Sequence, residues 1–290
     1  LKQVLTKENI EIREHMTMVD LIEKDNICGG VVAMDEENHV YPIRSQYVVL
    51  ACGGIGGLYQ NSTNYPHIAG DGLGIAMKHQ VEVEHLDYIQ IHPTTLFSRS
   101  KGRRFLISES VRGEGALLYD KNGQRFTNEL QPRDIVSQAI FAQMEKDGTE
   151  FVLEDMRPLG EKTIREHFPN IYQHCIEEGL DPIKEPIPVV PAQHYFMGGI
   201  KVDLSSRTSM KGLYACGETS CNGVHGKNRL ASNSLLESLV FARRAAYDML
   251  FGQDPCQAEP DLKRYEDKEV LLEDYHQVVL EGIERMRGNE

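Results

Sequence analysis

Two short apolar segments that each end in Cys-Gly constrain the fold of this chain more than any other feature. "YVVLACGG" ends at Gly54, and "GLYACGE" repeats the pattern at Cys216 and Gly217. The first segment, Tyr47 to Cys52, is apolar on both faces, which is typical of a strand inside a covered parallel sheet. Glycine after a strand allows close backbone approach to a ligand, although either turn alone is equally explained as a tight turn. Because the two segments flank one long stretch, we predict an α/β fold with an inserted domain.

The intervening residues 86–195 have a different pattern. Pro132 precedes a predicted helix that ends at Gly148, and a second predicted helix lies around residues 168–178. The proline-rich stretch "DPIKEPIPVVP" is expected to run extended, as a connector that leads back from the insertion. We therefore divide the chain into residues 1–85, an inserted α+β segment 86–195, a return segment 196–252 and a helical region 253–290.

The first part of the chain carries strand patterns. The alternation in "NIEIRE" predicts a strand, and two further strands are predicted around a turn at Asp35–Asn38. A helix of small and apolar residues is predicted over residues 72–80.

Composition excludes several classes of partner. The 290 residues include 44 Asp and Glu against 31 Lys and Arg, so the formal net charge is −13. An acidic surface disfavours nucleic acid and anionic membranes as partners. The sequence has neither a run of transmembrane length nor a signal peptide pattern. The six cysteines show no zinc or disulfide spacing, so we expect reduced thiols in a cytoplasmic protein and no metal site.

A cationic loop, "GVHGKNRLASNSLLES" at residues 223–238, runs into an apolar helix pattern. Ser234 and Glu237 fit the S-x-x-E capping box, which predicts that the helix starts there. A helix N-terminus has free N–H groups and a partial positive charge, so this loop suits an anion or an electron-rich ring. Capping explains Asn233 and Ser234 but not Arg229, because a cation there is unfavourable by about 0.3–1 kcal/mol; Arg229 and His225 together would suit an anion.

Arg133 has the same unfavourable placing, in the first turn of the helix that follows Pro132. If Arg133 is considered by itself, neutralisation of its charge by the neighbouring Asp134 is a sufficient explanation. Two arginines at two helix starts in an acidic protein favour a ligand with two carboxylates, because a guanidinium matches carboxylate geometry with two parallel hydrogen bonds.

Two histidines extend this hypothesis. His92 precedes a proline and is therefore in extended backbone, and His194 lies at the end of the proline-rich stretch. Neither has metal-ligand spacing to another ligand, and a single histidine more often has a structural role. "ISESVRGEGALL" adds polar residues for which a hydrogen-bonded turn is an equally good explanation: Ser108, Glu109, Arg112 and Glu114.

Five segments follow one another in the same order as in a known protein family: "IQIHPTTL", "SESVRGEGALL", "PRDIVSQAI", "QHYFMGGI" and "GETSCNGVHGKNRLASNSLLES". Together they resemble the succinate dehydrogenase/fumarate reductase flavoprotein family, from residue 1 to about residue 250. Within the family, "CNGVHGKNRLASNSLLE" most resembles the L-aspartate-oxidising branch. The resemblance implies a Rossmann-like FAD-binding domain made of residues 1–85 and 196–252, with residues 86–195 as a capping domain.

The resemblance also assigns roles to single residues. It implies flavin contacts for Asp71, Glu218, Ser234 and Leu235, and a dicarboxylate site lined by Gln90, His92, Ser108, Glu109, His194 and Arg229. Arg133 matches the family's catalytic arginine, and His92, His194 and Arg229 are expected to act with it. Ser108 departs from the threonine that the family usually has there. Since a guanidinium stays protonated, we expect Arg133 to act as an electrostatic clamp unless a carboxylate lies beside it.

The implied reaction is hydride transfer from Cα of L-aspartate to flavin N5, which leaves iminoaspartate. Dioxygen or fumarate then reoxidises the flavin. The resemblance makes this the first step of de novo NAD biosynthesis, with quinolinate synthase as the neighbouring enzyme of the pathway. Holding both carboxylates would fix Cα against the flavin, so positioning supplies much of the rate.

One family feature is missing from the sequence. Such flavoproteins begin with a strand and G-x-G-x-x-G, which holds the FAD pyrophosphate, and Gly53–Gly57 does not have that spacing. We therefore expect this chain to be part of a longer flavoprotein and to bind FAD poorly alone. Two alternatives stay open: a fumarate reductase or succinate dehydrogenase flavoprotein subunit, and an inactive fragment that binds dicarboxylates without flavin.

Overall fold

The computed structural model describes residues 10–252, 256 and 258–288, and these form two compact units. The first contains the residues up to Gly53, Gly70–Tyr88 and the residues from Met197 onward, and the second contains Gly54–Ala69 and Ile89–Phe196. Mixed helices and strands confirm the predicted α/β class. Residues 54–69, which the sequence assigned to the segment 1–85, belong to the second unit, because their backbone bonds to strand residue Gln193.

The described residues contain twelve strands and seven helices. The strands are β1 Thr17–Lys24, β2 Ile27–Met34, β3 Val40–Arg44, β4 Val48–Leu50, β5 Val83–Glu84, β6 Ile89–Leu96, β7 Leu117–Tyr119, β8 Val152–Asp155, β9 Ile187–Phe196, β10 Gly199–Lys201, β11 Leu213–Ala215 and β12 Ser220–Cys221. The helices are α1 Asp71–Lys78, α2 Glu109–Gly113, α3 Arg133–Asp147, α4 Glu161–His167, α5 Pro169–Glu177, α6 Asn233–Met249 and α7 Lys268–Arg287. None of these helices is both long and apolar enough to cross a membrane.

Three small sheets build the first unit: β1-β2-β3, β12-β10-β5 and the parallel pair β11-β4. The parallel pair joins the two Cys-Gly segments, with Leu213 opposite Val48 and Ala215 opposite Leu50. Leu50 is buried, whereas Val49 is 44 % exposed. Within the described chain, β4 is therefore covered on one face and not on both as the sequence predicted, whereas all three residues of β11 are buried.

The first strand differs from its prediction. Residues 10–13 of "NIEIRE" form no strand, and Ile12 is 56 % exposed among the described residues; Asn9 lies outside them. The first strand of the sheet is instead β1, in which Asp20 interrupts a run of buried apolar residues. The turn predicted at Asp35–Asn38 is confirmed by the hydrogen bond from Asn38 N–H to Asp35 O, at 3.3 Å.

Asp20 is a buried carboxylate of β1 that ties together three parts of the first unit. It is 5 % exposed, and its Oδ1 lies 2.5 Å from His79 Nε2 of the chain just after α1. Its Oδ2 accepts from Tyr265 Oη at 2.8 Å and from Arg264. Burial alone would raise the pKa of Asp20, but the hydrogen bonds from His79 and Tyr265 outweigh burial and hold the pKa below its usual value.

We expect Asp20→Asn to lower the free energy of unfolding by about 3 kcal/mol at pH 7, because buried donors lose a charged acceptor. The pKa of Asp20 is lower in the folded state, so its stabilisation is full above about pH 4 and disappears as pH falls through the folded pKa. Urea unfolding followed by circular dichroism measures the difference. Asp25→Asn, an equal charge change at an exposed position, is the control. Equal losses in both variants would contradict the prediction.

A four-stranded antiparallel sheet, ordered β6-β9-β8-β7, forms the frame of the second unit. The predicted helix after Pro132 is confirmed: α3 begins at Arg133 and ends before Gly148, whose φ of 63° suits glycine. Val136 and Ile140 of α3 lie in the core that packs against this sheet. The helix therefore presents its first residue, Arg133, at one end of the sheet.

The proline-rich stretch is not a connector. Its second half forms β9, which pairs with β6 on one side and β8 on the other. Proline cannot donate to a ladder, so a central strand usually excludes it. Here the β6–β9 register shifts between His92 and Thr95, at Pro93 and opposite Pro191. The irregular pairing accommodates Pro93 and Pro191 in paired strands, where the sequence predicted an extended connector.

Candidate active site

Polar side chains gather where β6 and β9 pair. Gln90 and His92 are two positions apart on β6 and therefore point to the same face of the sheet, and both are almost fully buried. The His194 ring on β9 meets the His92 ring edge to face, with centroids 5.4 Å apart. Three residues predicted from the sequence are thus brought together within the second unit.

Arg133 joins this group from the start of α3. Its Nη1 lies 3.4 Å from Gln90 Oε1, its Nε donates to Glu109 Oε2 at 2.7 Å, and its Nη2 donates to the same oxygen. The carboxylate beside this helix start is therefore Glu109 of α2, while Asp134, which the sequence offered for that role, is exposed. The ion pair fixes the orientation of a guanidinium whose side chain is only 13 % exposed.

His92 is held as a neutral imidazole. Burial lowers its pKa well below the usual value, and nearby positive charge on His194, Arg133 and Arg112 lowers it further. Its Nδ1 lies 3.0 Å from Thr94 O and 3.2 Å from Thr94 N, so the backbone holds the ring in place. A neutral imidazole has one N–H, which can donate to an anion without carrying charge.

Two other predicted residues lie on or beside α2. Ser108 precedes this short helix, and its hydroxyl accepts from Ser110 N–H at 3.3 Å. Its assignment to the substrate stays a prediction, and the capping contact matches the alternative of a hydrogen-bonded turn. Arg112 is almost fully buried, and its Nη1 donates to Glu129 O at 2.7 Å.

The helix start in the first unit differs from the predicted capping box. α6 begins at Asn233, after Ser232, whose φ of 66° is left-handed. Ser234 is inside the helix, and Glu237 accepts from Asn222 Nδ2 at 2.6 Å rather than serving as the capping-box acid. The capping box is wrong because a residue distant in sequence competes for the glutamate.

The apolar face predicted for α6 is not buried in the described chain. Leu235, Leu236 and Leu239 are 71 %, 63 % and 72 % exposed. The buried positions of this helix are Glu237, Phe241 and Ala245. Their spacing of four residues places the packed side of the helix away from the leucines.

The cationic loop keeps Arg229 largely buried, at 6 % exposure, and Arg229 Nη1 lies 3.3 Å from Leu230 O. Burial lowers the pKa of His225, and the charge of Arg229 lowers it further. At the start of α1, Asp71 accepts from His276 Nε2 at 2.7 Å. Glu218 lies in the short turn that follows β11.

The ends of the parallel strands suit a flat ring system. Gly53 and Gly217 follow β4 and β11 with φ of 79° and 72°, a conformation that favours glycine. A Cβ on Gly72 would lie 2.7 Å from Cys52 Sγ, so α1 packs tightly against the end of β4. Open α/β sheets bind ligands at the carboxyl ends of their strands. The flavin contacts implied by the resemblance, Asp71, Glu218, Ser234 and Leu235, stay predictions.

These features define a flavin-binding α/β protein. The profile of the FAD binding domain family matches residues 1–235, and the chain belongs to this family. It is similar to L-aspartate oxidases: that of Clostridium perfringens is 48 % identical over 290 residues, covering 100 % of this chain and 66 % of the relative. The enzyme of Clostridium acetobutylicum is 52 % identical over 245 residues, covering 84 % of this chain and 56 % of the relative. The chain thus spans less than two thirds of the length of these relatives.

A solved structure of E. coli quinol fumarate reductase has a TM-score of 0.75 and 34 % identity, and covers 97 % of this chain and 50 % of that chain. The resemblance predicted from the five segments is therefore confirmed, as is FAD as the cofactor of the family.

Sequence reasoning missed two residues beside the candidate site. Thr63 Oγ1 lies 2.9 Å from His194 Nδ1, although 131 positions separate them. Glu154 is fully buried on β8, and its charge acts on Arg112. The only signal for Glu154 was a glutamate in the short apolar strand "FVLED", and "QNSTN" gave no signal for Thr63 beyond polarity.

Proposed function

We propose that the whole protein oxidises L-aspartate to iminoaspartate with FAD and passes the electrons to dioxygen or fumarate. The observation that carries the proposal is Arg133, fixed by Glu109 and close to Gln90, in a group that also holds the neutral His92. A fixed cation beside neutral N–H donors is suited to a carboxylate substrate. The similarity to proteins named L-aspartate oxidase supports the choice of amino acid.

The residues of the second unit bind and orient the substrate. Arg133 uses Nε and Nη2 for Glu109, so its Nη1 edge is the one directed toward Gln90 and a substrate carboxylate. The neutral His92 adds one N–H, and the His194 ring beside it adds a further N–H donor. Positioning of this kind supplies rate because Cα is held in one geometry for reaction. The roles of Arg229 and Ser108 stay predictions from sequence similarity.

The proton chemistry falls to Glu109 and Arg133. Bound FAD would supply the two-electron redox chemistry, as the acceptor for the hydride that leaves Cα. The substrate also loses a proton from its amino group, and a guanidinium cannot take it. Glu109 Oε2, 2.7 Å from Arg133 Nε, is the neighbouring carboxylate that a proton-relay role of Arg133 requires. In the reduction of fumarate, the same pair would return a proton as the hydride is added.

The test uses the full-length protein loaded with FAD. We expect L-aspartate to be oxidised, with hydrogen peroxide formed under air or succinate formed from fumarate without air. Activity is compared with succinate as the electron donor at equal concentration. Turnover of succinate but not of L-aspartate would contradict the proposal.

The structural similarity to a quinol fumarate reductase favours one alternative, a flavoprotein subunit that interconverts fumarate and succinate. This alternative predicts succinate oxidation with an artificial electron acceptor, which the same comparison detects. A cytoplasmic location and quinolinate synthase as pathway neighbour are further proposals that follow from L-aspartate oxidation.

A further inference from the structure

A threonine hydroxyl touches one of the two site histidines. Thr63 is 6 % exposed, and its Oγ1 lies 2.9 Å from His194 Nδ1 and 3.3 Å from Gln193 O. All three residues belong to the second unit. Because Gln193 O already accepts from Thr63 N–H at 2.9 Å, the single proton of the hydroxyl is available for donation to His194 Nδ1.

The backbone holds Thr63 firmly in this position. Its N–H donates to Gln193 O at 2.9 Å, and Gln193 N–H donates to Asn61 O at 2.9 Å. The side chain of Gln193 also accepts from Ser62 Oγ at 2.8 Å. A Cβ on Gly56 would lie 2.6 Å from Gln193 Oε1, so only glycine allows this close packing.

Arg103 secures the same residue from its carbonyl side. Arg103 Nε donates to Thr63 O at 2.6 Å, and its guanidinium lies 5.1 Å from the centre of the Tyr65 ring. Both the N–H and the C=O of Thr63 are therefore bonded. The hydroxyl is presented to His194 by a backbone that has little freedom to move away.

We propose that Thr63 is a positioning residue of the reaction, which fixes the ring orientation and the tautomer of His194. When the Thr63 hydroxyl donates to Nδ1, the proton of a neutral His194 must be on Nε2. The ring then offers Nε2–H to a carboxylate instead of a lone pair that would repel it. This inference rests on the proposed function, because it assumes that a carboxylate substrate binds at His194.

The test compares Thr63→Val with Thr63→Ser in the full-length, FAD-loaded protein. Valine keeps the shape but removes the hydroxyl, so we expect KM for L-aspartate to rise about tenfold with kcat largely unchanged. The fumarate Kd, measured from the change in flavin absorbance, should rise by a similar factor. Serine restores the hydroxyl and should return both values close to those of the unchanged protein.

Thr95→Val is the matched control. Thr95 is fully buried on β6, and its hydroxyl donates to Val190 O at 2.7 Å. It loses one buried hydrogen bond without touching a site histidine, so we expect an unchanged KM. Where Thr63→Val does not fold, Arg103→Gln replaces it and should raise KM, because it loosens the Thr63 carbonyl.

Two outcomes would overturn the inference: an unchanged KM in Thr63→Val, or an equal rise in Thr63→Ser. A failure of the proposed function has a different signature, since the unchanged protein would then not oxidise L-aspartate at all. The fumarate Kd would still report whether Thr63 acts on dicarboxylate binding.

Discussion

Arg133→Lys is expected to lower kcat for L-aspartate about a thousandfold in the full-length, FAD-loaded protein. Lysine keeps the positive charge, so the loss isolates the geometry of the guanidinium. Arg133 holds Glu109 with Nε and Nη2 while Nη1 lies 3.4 Å from Gln90 Oε1. An ammonium group has no rigid fork and cannot hold the carboxylate and face the substrate at once. Steady-state kinetics with L-aspartate measure the effect.

Arg157→Lys is the control for this substitution. Arg157 makes a comparable two-point contact within the second unit, with Nε 2.8 Å from Asp155 Oδ1 and Nη2 2.8 Å from Asp155 Oδ2. We expect its kcat to stay unchanged. A kcat for Arg133→Lys within a few fold of the unchanged protein would show that Arg133 contributes charge alone. Bound flavin, followed by its absorbance, confirms that both variants are loaded.

Local sequence signals predicted the elements that local interactions determine. Pro132 and Gly148 gave both ends of α3, since proline suits a helix start and glycine suits the left-handed residue after a helix. The turn at Asp35–Asn38 was also predicted correctly from its local sequence. These signals depend on a few neighbouring residues, so distant parts of the chain did not override them.

Contacts between distant residues account for the errors. Glu237 accepts a hydrogen bond from Asn222 and therefore does not form the predicted capping box. The strand β1 contains the buried Asp20 because Tyr265 and His79 form hydrogen bonds with its carboxylate. The strand β9 accepts Pro191 because its partner β6 shifts register opposite that residue. The bonded side chains lie 15 or more positions apart, which is beyond the few neighbouring residues that a capping or strand pattern uses.

In the candidate site too, sequence patterns identified single residues but not the contacts between distant ones. His92, His194 and Arg133 were found through segments that resemble a family, and the structure brings them together in one unit. The resemblance also included Glu109, but not its contact with Arg133, which is 24 positions away. Thr63 and Glu154 were missed because a threonine in a polar loop and a glutamate in a strand have no pattern that marks them.

Glu154 gives the second large expected effect. It is fully buried on β8, and neither carboxylate oxygen has a hydrogen-bond partner among the described residues. Burial raises its pKa to about 8, although the charge of Arg112 acts in the opposite direction, and the charge of Glu129 raises it further. The group is therefore mostly protonated in the folded protein at pH 7.

The sign of the pH dependence follows from proton counting. Between about pH 4.5 and pH 8, the folded chain keeps the Glu154 proton and the unfolded chain loses it. Stability therefore falls as pH rises through this range. The rise in the pKa of Glu154 from 4.5 to about 8 corresponds to a total loss of about 5 kcal/mol by pH 8.

Glu154→Leu is expected to remove this loss and to raise the free energy of unfolding by about 3 kcal/mol at pH 7, with a smaller gain at pH 5 and a larger one at pH 8. Urea unfolding of the full-length protein at these pH values measures the gain. Glu166→Leu, at an exposed position of α4, should show no such trend. A gain independent of pH would mean that Glu154 is ionised when folded. The carboxylate and Arg112 would then form a buried ion pair beside the helix that carries Glu109, and Glu154→Leu would leave Arg112 without that partner.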